Sequence, residues 1–256
     1  MKVTVCELNE DRTLFARDWE RLAEHVRTER SDLVLLPEFP FSEWFPVMPD
    51  YSDKTWTQAV LAHDAWIQRL GDLAPAAVLS SRPVNHAARR LDEGFVWDRQ
   101  LGYRPAHLKH YVPDVDGWWE ASWFQPAEAD FSPVDVGTAL VGFQICTEIW
   151  AMGRAQSYGK RGVHLIVTPR ATETASLDKF LAGGRVAALV SGCFVLSSNR
   201  VGNTAGKATF GGQGWVIGPD GDVLALTSAE HPFVTVAIDL AAADRAKSTY
   251  PRDVLE

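Results

Sequence analysis

The sequence predicts an α/β protein built as a four-layer α-β-β-α sandwich, two mixed sheets face to face between two layers of helices. Three observations predict it. Apolar runs and amphipathic helical segments alternate in the order β-α-β-α-β over residues 2–84. The same order returns over residues 138–201. No linker-like or low-complexity stretch separates the two runs, so they read as pseudo-repeated halves of one domain, 1–256.

The elements follow in order. Residues 2–8, KVTVCEL, alternate and are rich in β-branched side chains, the pattern of a strand. Residues 15–30, FARDWERLAEHVRTER, repeat apolar side chains at helical spacing. DLVLLPE, 32–38, is a short continuous apolar run, the mark of a strand covered on both faces. Residues 55–73 read as helix and 76–84, AAVLSSRPV, as strand. Residues 93–111 look like a hairpin, and 112–133 like a loop with one short helix, an irregular length that often carries function. TALVGFQIC, 138–146, is a strand, 151–162 a helix, VHLIVTP, 163–169, a strand, 177–192 a helix and CFVLSSNRV, 193–201, a strand. Pro219, Asp220 and Gly221 between apolar runs mark a hairpin over 214–228, and 232–240 gives one more strand. The glycine-rich GKATFGGQGW, 206–215, lacks the lysine context of a phosphate loop and reads as turns before a strand.

Composition bounds the function. The 256 residues suffice for one large domain with a buried core. A formal net charge of −8 argues against a general binder of phosphate backbones, so no nucleic acid partner is expected. Three cysteines, an odd number, point to free thiols in a reducing compartment. The N-terminal MKVTVCELNEDRT lacks the apolar segment of a signal peptide, and no run approaches the roughly 18 apolar residues that span a bilayer. The expectation is a soluble, cytoplasmic protein with no membrane partner. The seven histidines show no metal-ligand spacing with Cys, Asp or Glu, so no metal is expected.

Three residues stand at the carboxyl ends of strands, where sheets with covering helices carry their sites. Cys146 ends an apolar run just ahead of a helix, whose N-terminus would favour a thiolate and aim N–H groups at an oxyanion. Glu38 follows LVLLP and, on this reading, corresponds in the first half to Cys146 in the second. Lys109 closes a strand beside His107, His110 and Pro113, company in which a lysine is desolvated and used as a fixed cation. Taken alone, each has an ordinary reading: a small core thiol, a loop carboxylate or helix cap, a surface charge. Cys6 and Cys193 lie inside apolar strands and read as inert core.

Together, LLPEF with Glu38, HLKHYVP with Lys109 and GFQICTEIW with Cys146 resemble the nitrilase superfamily of carbon–nitrogen hydrolases. The order is that family's Glu-Lys-Cys. The resemblance continues through GVHLIVTPRA, GGRVAALVSGCFVLSSNRVG and FGGQGWVIGPDGDVLA, over nearly the whole chain. It implies a single carbon–nitrogen hydrolase domain that needs no cofactor and acts on a small-molecule amide. It implies Cys146 as nucleophile and Glu38 as the base that takes its proton and later delivers one to leaving ammonia. Lys109 and the backbone N–H of Thr147 would hold the oxyanion. Glu120, in DGWWEASWF, resembles the second glutamate with which amidase-type members position substrate or the attacking water. Its ordinary alternative is an exposed loop carboxylate.

The resemblance has departures. Dedicated nitrilases carry Trp-Glu after the cysteine and many amidase-like members Tyr-Asp, whereas this chain has Thr147 and Glu148. Gln213 stands where a serine often follows the late glycine pair. The substrate class is therefore open between a carboxamide, a nitrile and an N-carbamoyl amine, with the amide favoured. A catalytically silent binding or scaffold protein is the alternative of another class. The chain stops soon after its last strand, without the extension of spiral-forming nitrilases, and by resemblance this implies a homodimer or higher homo-oligomer. Arg170, at another strand end, would bind a substrate carboxylate bidentately or pair with Glu148 or Glu173. Trp44, Trp119 and Trp150, close in sequence to the three catalytic candidates, would line an apolar pocket or belong to the core.

Overall fold

A computed structural model describes residues 1–204 and 208–254. The first half comprises β1 (Lys2–Asn9), α1 (Arg12–Glu29), β2 (Leu33–Leu35), α2 (Asp53–Ile67), β3 (Ala77–His86), β4 (Arg89–Asp98) and β5 (Gly102–Leu108). The short α3 (Glu120–Trp123) and β6 (Val134–Val136) lead into β7 (Ala139–Phe143), α4 (Met152–Lys160), β8 (Leu165–Pro169), α5 (Leu177–Ser191) and β9 (Phe194–Thr204). Then come β10 (Ala208–Gly211), β11 (Trp215–Ile217), β12 (Val223–Leu226), β13 (Phe233–Ala237) and α6 (Leu240–Ala246).

One sheet runs β13-β1-β2-β3-β4-β5, parallel through β1, β2 and β3 and antiparallel at both ends. The other runs β6-β7-β8-β9-β11-β12, parallel through β7, β8 and β9 and likewise antiparallel at its ends. The two join where the ends of β1 and β9 pair, Glu7 to Asn199 and Asn9 to Val201.

The halves repeat one plan in register. Val3, Leu33 and Ala77 lie side by side in one sheet, and Val141, Leu165 and Phe194 in the other. Followed along the strands, this alignment sets LVLLPE, 33–38, on LIVTPR, 165–170, and VLSS, 78–81, on VLSS, 195–198. The counterpart of Glu38 is thus Arg170, and that of Cys146 is Leu8, which corrects the expected equivalence of Glu38 with Cys146. The glutamate follows the second strand of its half, the cysteine the first strand of its own.

Alternation sorts side chains between layers. Val3, Val5, Leu33 and Leu35 share one core with Val141, Phe143, Leu165 and Val167 of the opposite sheet. Cys6, Val34, Leu36 and Val78 face outward and pack with Phe15, Trp19, Leu22 and Val26 of α1. Each such fully buried side chain contributes about 1.5–3 kcal/mol. On the second sheet the Tyr158 ring of α4 lies so close to Gly142 that a β-carbon there would come within 2.6 Å of it. The result is the four-layer α-β-β-α sandwich. α1 begins where Asp11 accepts the N–H groups of Thr13 and Leu14, each at 2.9 Å, and ends at Arg30, whose φ of 56° stops the helix.

Two expectations change, and two short elements are unforeseen. The strand expected over 138–146 ends at Phe143, so Gln144 to Cys146 lie beyond the sheet. Ala208–Gly211 is not a run of turns: it pairs with the extended end of β9, and Phe210 is buried. Gly206 and Lys207, part of that expectation, lie outside the described residues. α6 and the three-residue edge strand β6 lack a pattern long enough to read in advance. Among the described residues no helix is long and apolar enough to cross a membrane.

Candidate active site

Glu38 lies three residues beyond β2, Lys109 directly after β5, and Cys146 three residues beyond β7. The strands deliver Glu38 and Lys109 into contact. Lys109 Nζ donates to Glu38 Oε1 at 2.7 Å and to Glu120 Oε2, on the first residue of α3, at 2.6 Å. All three are buried, Glu120 included, so the exposed-loop reading of Glu120 falls. Asp92 of β4 stands 3.9 Å from the same ammonium. Burial alone would lower the lysine, but Glu120 and Glu38 outweigh it and hold the ammonium well above the ordinary lysine range. Burial pushes the Glu120 carboxyl up to about 7, against the pull of Lys109.

Cys146 has a φ of 48°, in the left-handed region that costs a non-glycine residue about 1–2 kcal/mol. It opens a short 3-10 turn, Cys146–Trp150. Glu148 holds that turn. Its carboxylate accepts the N–H of Ile145 at 2.9 Å, the N–H of His110 at 2.8 Å and Nε2–H of His107 at 2.8 Å. One buried carboxylate therefore ties the cysteine turn to the strand end that carries Lys109. Burial alone would raise Glu148, but His107 and the two N–H groups hold it below the ordinary range. His107 Nδ1 lies 3.0 Å from the Asp130 carbonyl, which fixes the ring in place. From sequence, Glu148 reads as a departure from a motif and as a candidate partner of Arg170, and this anchoring is missed. Its signal was a carboxylate two residues beyond a nucleophile candidate, inside an apolar run.

The helix N-terminus expected to lower the Cys146 thiol is replaced by this five-residue 3-10 turn, with little dipole to offer. Burial, with Glu38 adding and Lys109 opposing, pushes the thiol well above the ordinary cysteine range. The resting group is a thiol that needs a base.

A cavity of about 160 Å³ opens on Cys146, with Glu120 and Thr147 beside it and Trp118, Thr172 and Phe180 in its mostly apolar wall. The Thr147 hydroxyl donates to the Tyr111 carbonyl at 3.0 Å. The other pocket candidates lie elsewhere. Arg170 is fully buried, with Nε on Ser197 Oγ at 2.6 Å, Nη1 on Thr172 Oγ1 at 2.8 Å and Nη2 on the Gln213 carbonyl at 2.7 Å. Each guanidinium nitrogen is engaged within the protein, so Arg170 props the wall through Thr172 instead of meeting a substrate carboxylate. Trp44 is core, stacked on Phe39 at 5.2 Å. Trp119 precedes α3, and its neighbour Trp118 is the one that reaches the cavity. Trp150 is 45% exposed and packs on Phe180. The aromatic wall is Trp118 and Phe180, because adjacency in sequence does not fix which way a ring points off a turn.

Residues 2–248 match the sequence family described as carbon-nitrogen hydrolase. N-carbamoylputrescine amidase of Solanum tuberosum is 26% identical over 151 residues, 51% of this chain and 48% of that protein. That of Oryza sativa subsp. japonica is 26% identical over 164 residues, 56% and 52% of the two chains. The chain spans about half the length of the curated relatives it matches. A carbon-nitrogen hydrolase from Helicobacter pylori superposes with a TM-score of 0.85 at 18% identity, covering 99% of this chain and 94% of that one. An amidase from Nesterenkonia sp. superposes with a TM-score of 0.77 at 18% identity, covering 100% and 96%. Both structures share the sandwich. With the sequence match running from β1 past α6, the chain belongs to the carbon-nitrogen hydrolase family.

Proposed function

We propose that this protein cleaves the C–N bond of a small carboxamide through a thioester on Cys146, releasing a carboxylate and ammonia. The observation that carries the reading is Lys109, charged and gripped by Glu38 and Glu120, in a cluster whose Glu120 shares a cavity wall with Cys146.

Glu38 Oε2 has no hydrogen-bond partner among the described residues, which leaves a lone pair for a proton. As Cys146 Sγ attacks the carbonyl carbon, its proton passes to Glu38 and the C=O electron pair moves to oxygen. Lys109 has a third N–H beyond its two carboxylate bonds. That N–H and the backbone N–H of Thr147 hold the oxyanion, where loss of one donor costs on the order of 100-fold or more in rate. Collapse of the intermediate breaks the C–N bond, and the nitrogen leaves as ammonia with the proton from Glu38. Water then gives a proton to Glu38 and attacks the thioester. The second intermediate expels the sulfur, which recovers its proton from Glu38, and the acid departs. Glu120, in the cavity wall, accepts an N–H of the substrate amide.

An N-carbamoyl amine is the second reading, supported by relatives named N-carbamoylputrescine amidases. A silent scaffold gives no reason for a desolvated lysine among carboxylates beside an open cavity. One domain over 1–256, a homodimer or higher homo-oligomer and residence in the cytoplasm belong to the same proposal. The three free, buried cysteines support a reducing compartment. Ammonia release and enzyme mass, followed across small carboxamides, nitriles and N-carbamoyl amines, test the reading. Turnover of a carboxamide with a transient acyl mass is expected, and no turnover of any of the three classes overturns it.

A further inference from the structure

Asp92 is 1% exposed, and neither of its carboxyl oxygens has a hydrogen-bond partner among the described residues. It projects from β4 beside Lys109, whose backbone N–H donates to the Asp92 carbonyl at 2.9 Å. Its carboxyl comes within 3.9 Å of Nζ, too far for a hydrogen bond. We propose that Asp92 is a positioning residue for Lys109 that acts as a neutral acid, filling the space beside the ammonium without claiming its third N–H. The proposal rests on the reading of Lys109 as the holder of the oxyanion.

Lys109 carries one positive charge and three N–H groups, and Glu38 and Glu120 already take two of those groups. The titratable and charged groups facing Asp92 are Lys109 beyond β5, Glu38 beyond β2 and Glu120 on α3. From β3, the Ser81 hydroxyl lies near without reaching hydrogen-bond geometry. An ionised Asp92 would be a third carboxylate on one ammonium, buried, with no N–H or O–H to solvate it. It would also draw the remaining N–H away from the substrate. Burial, reinforced by Glu38 and Glu120 and opposed by Lys109, pushes the carboxyl well above the ordinary range. A neutral Asp92 leaves the third N–H free to hold developing charge.

Two measurements test this. Asp92→Ala empties the space beside Nζ and is expected to lower kcat about 10- to 100-fold with little change in KM. Asp92→Asn, neutral and of the same shape, is expected to recover most of that loss and to leave the alkaline limb of the pH profile where it was. An ionised Asp92 predicts the reverse: Asp92→Asn as poor as Asp92→Ala, with the alkaline limb moved to lower pH. Should these variants fold poorly, infrared spectroscopy of the unmodified enzyme decides. A protonated-carboxyl carbonyl band that remains once Glu120, at about 7, has titrated away is expected, and its absence overturns the proposal. The band needs no turnover. Failure of the amidase reading therefore shows as an intact band without ammonia release, and failure of this proposal as a missing band in an active enzyme.

Discussion

Lys109 Nζ lies 2.7 Å from Glu38 Oε1, with both side chains shut away from solvent. The pair joins the chain beyond β2 to the end of β5, and Glu120 doubles it from α3. A buried ion pair of this kind is weak evidence for stability as a whole, but breaking it from one side is costly.

Lys109→Met is therefore expected to lose about 3–5 kcal/mol of stability along with activity, because Glu38 and Glu120 are left facing each other without a cation. Denaturant unfolding measures it. An unchanged midpoint would mean that the carboxylates are already neutral without the lysine.

Glu120 sets a pH dependence with a definite sign. Its folded value of about 7 lies above the ordinary 4.5, so folding favours its protonated form. That contribution is fully present below about pH 4.5 and is lost as the pH rises to about 7. Relative to Glu120→Gln, the unmodified protein should lose stability across that window and run level above it. If the ionised carboxylate binds the amide, kcat/KM should climb through about pH 7, and the climb should vanish in Glu120→Gln. A climb that survives in the variant assigns it to another group.

Glu148→Ala strips the N–H groups of Ile145 and His110 and Nε2–H of His107 of their acceptor. The expected cost is about 2–5 kcal/mol, with turnover falling as the left-handed Cys146 turn loosens. Thermal melting and kcat, compared with Glu148→Gln, read it out. Full activity in Glu148→Ala would show that the turn holds Cys146 without its anchor.

Small amides should be hydrolysed with higher kcat/KM than nitriles of the same chain length. A nitrile has no N–H for Glu120, and a carboxylate left in the cavity wall with Lys109 as its one partner and no substrate N–H penalises it. Paired assays decide, and a preference for nitriles would end the amidase reading while leaving Cys146 as nucleophile.

Much of this was legible in the sequence because the strands declare themselves. LVLLPE and LIVTPR are short apolar runs closed by proline, and in both the residue after the proline is charged and buried. What pattern reading could not supply was register. Only the pairing of Val3 with Leu33 and of Val141 with Leu165 shows that Glu38 matches Arg170, so symmetry alone misassigns Cys146. Nor does periodicity fix side-chain direction in irregular chain. Trp118 and Trp119 are adjacent, yet one lines the cavity and the other does not. The anchoring by Glu148, and Asp92 altogether, are missed for a related reason: a carboxylate buried by tertiary packing looks, in sequence, like any solvated one.

The central claim is a covalent bond to Cys146, and mass spectrometry of acid-quenched enzyme turning over a small amide tests it most directly. An added acyl mass is expected on the peptide that contains Cys146. Cys146→Ala should carry none, unfold as the unmodified protein does and lose on the order of 10⁶-fold in kcat. Ammonia release by Cys146→Ala at the unmodified rate, or an acyl mass on another residue, would contradict it.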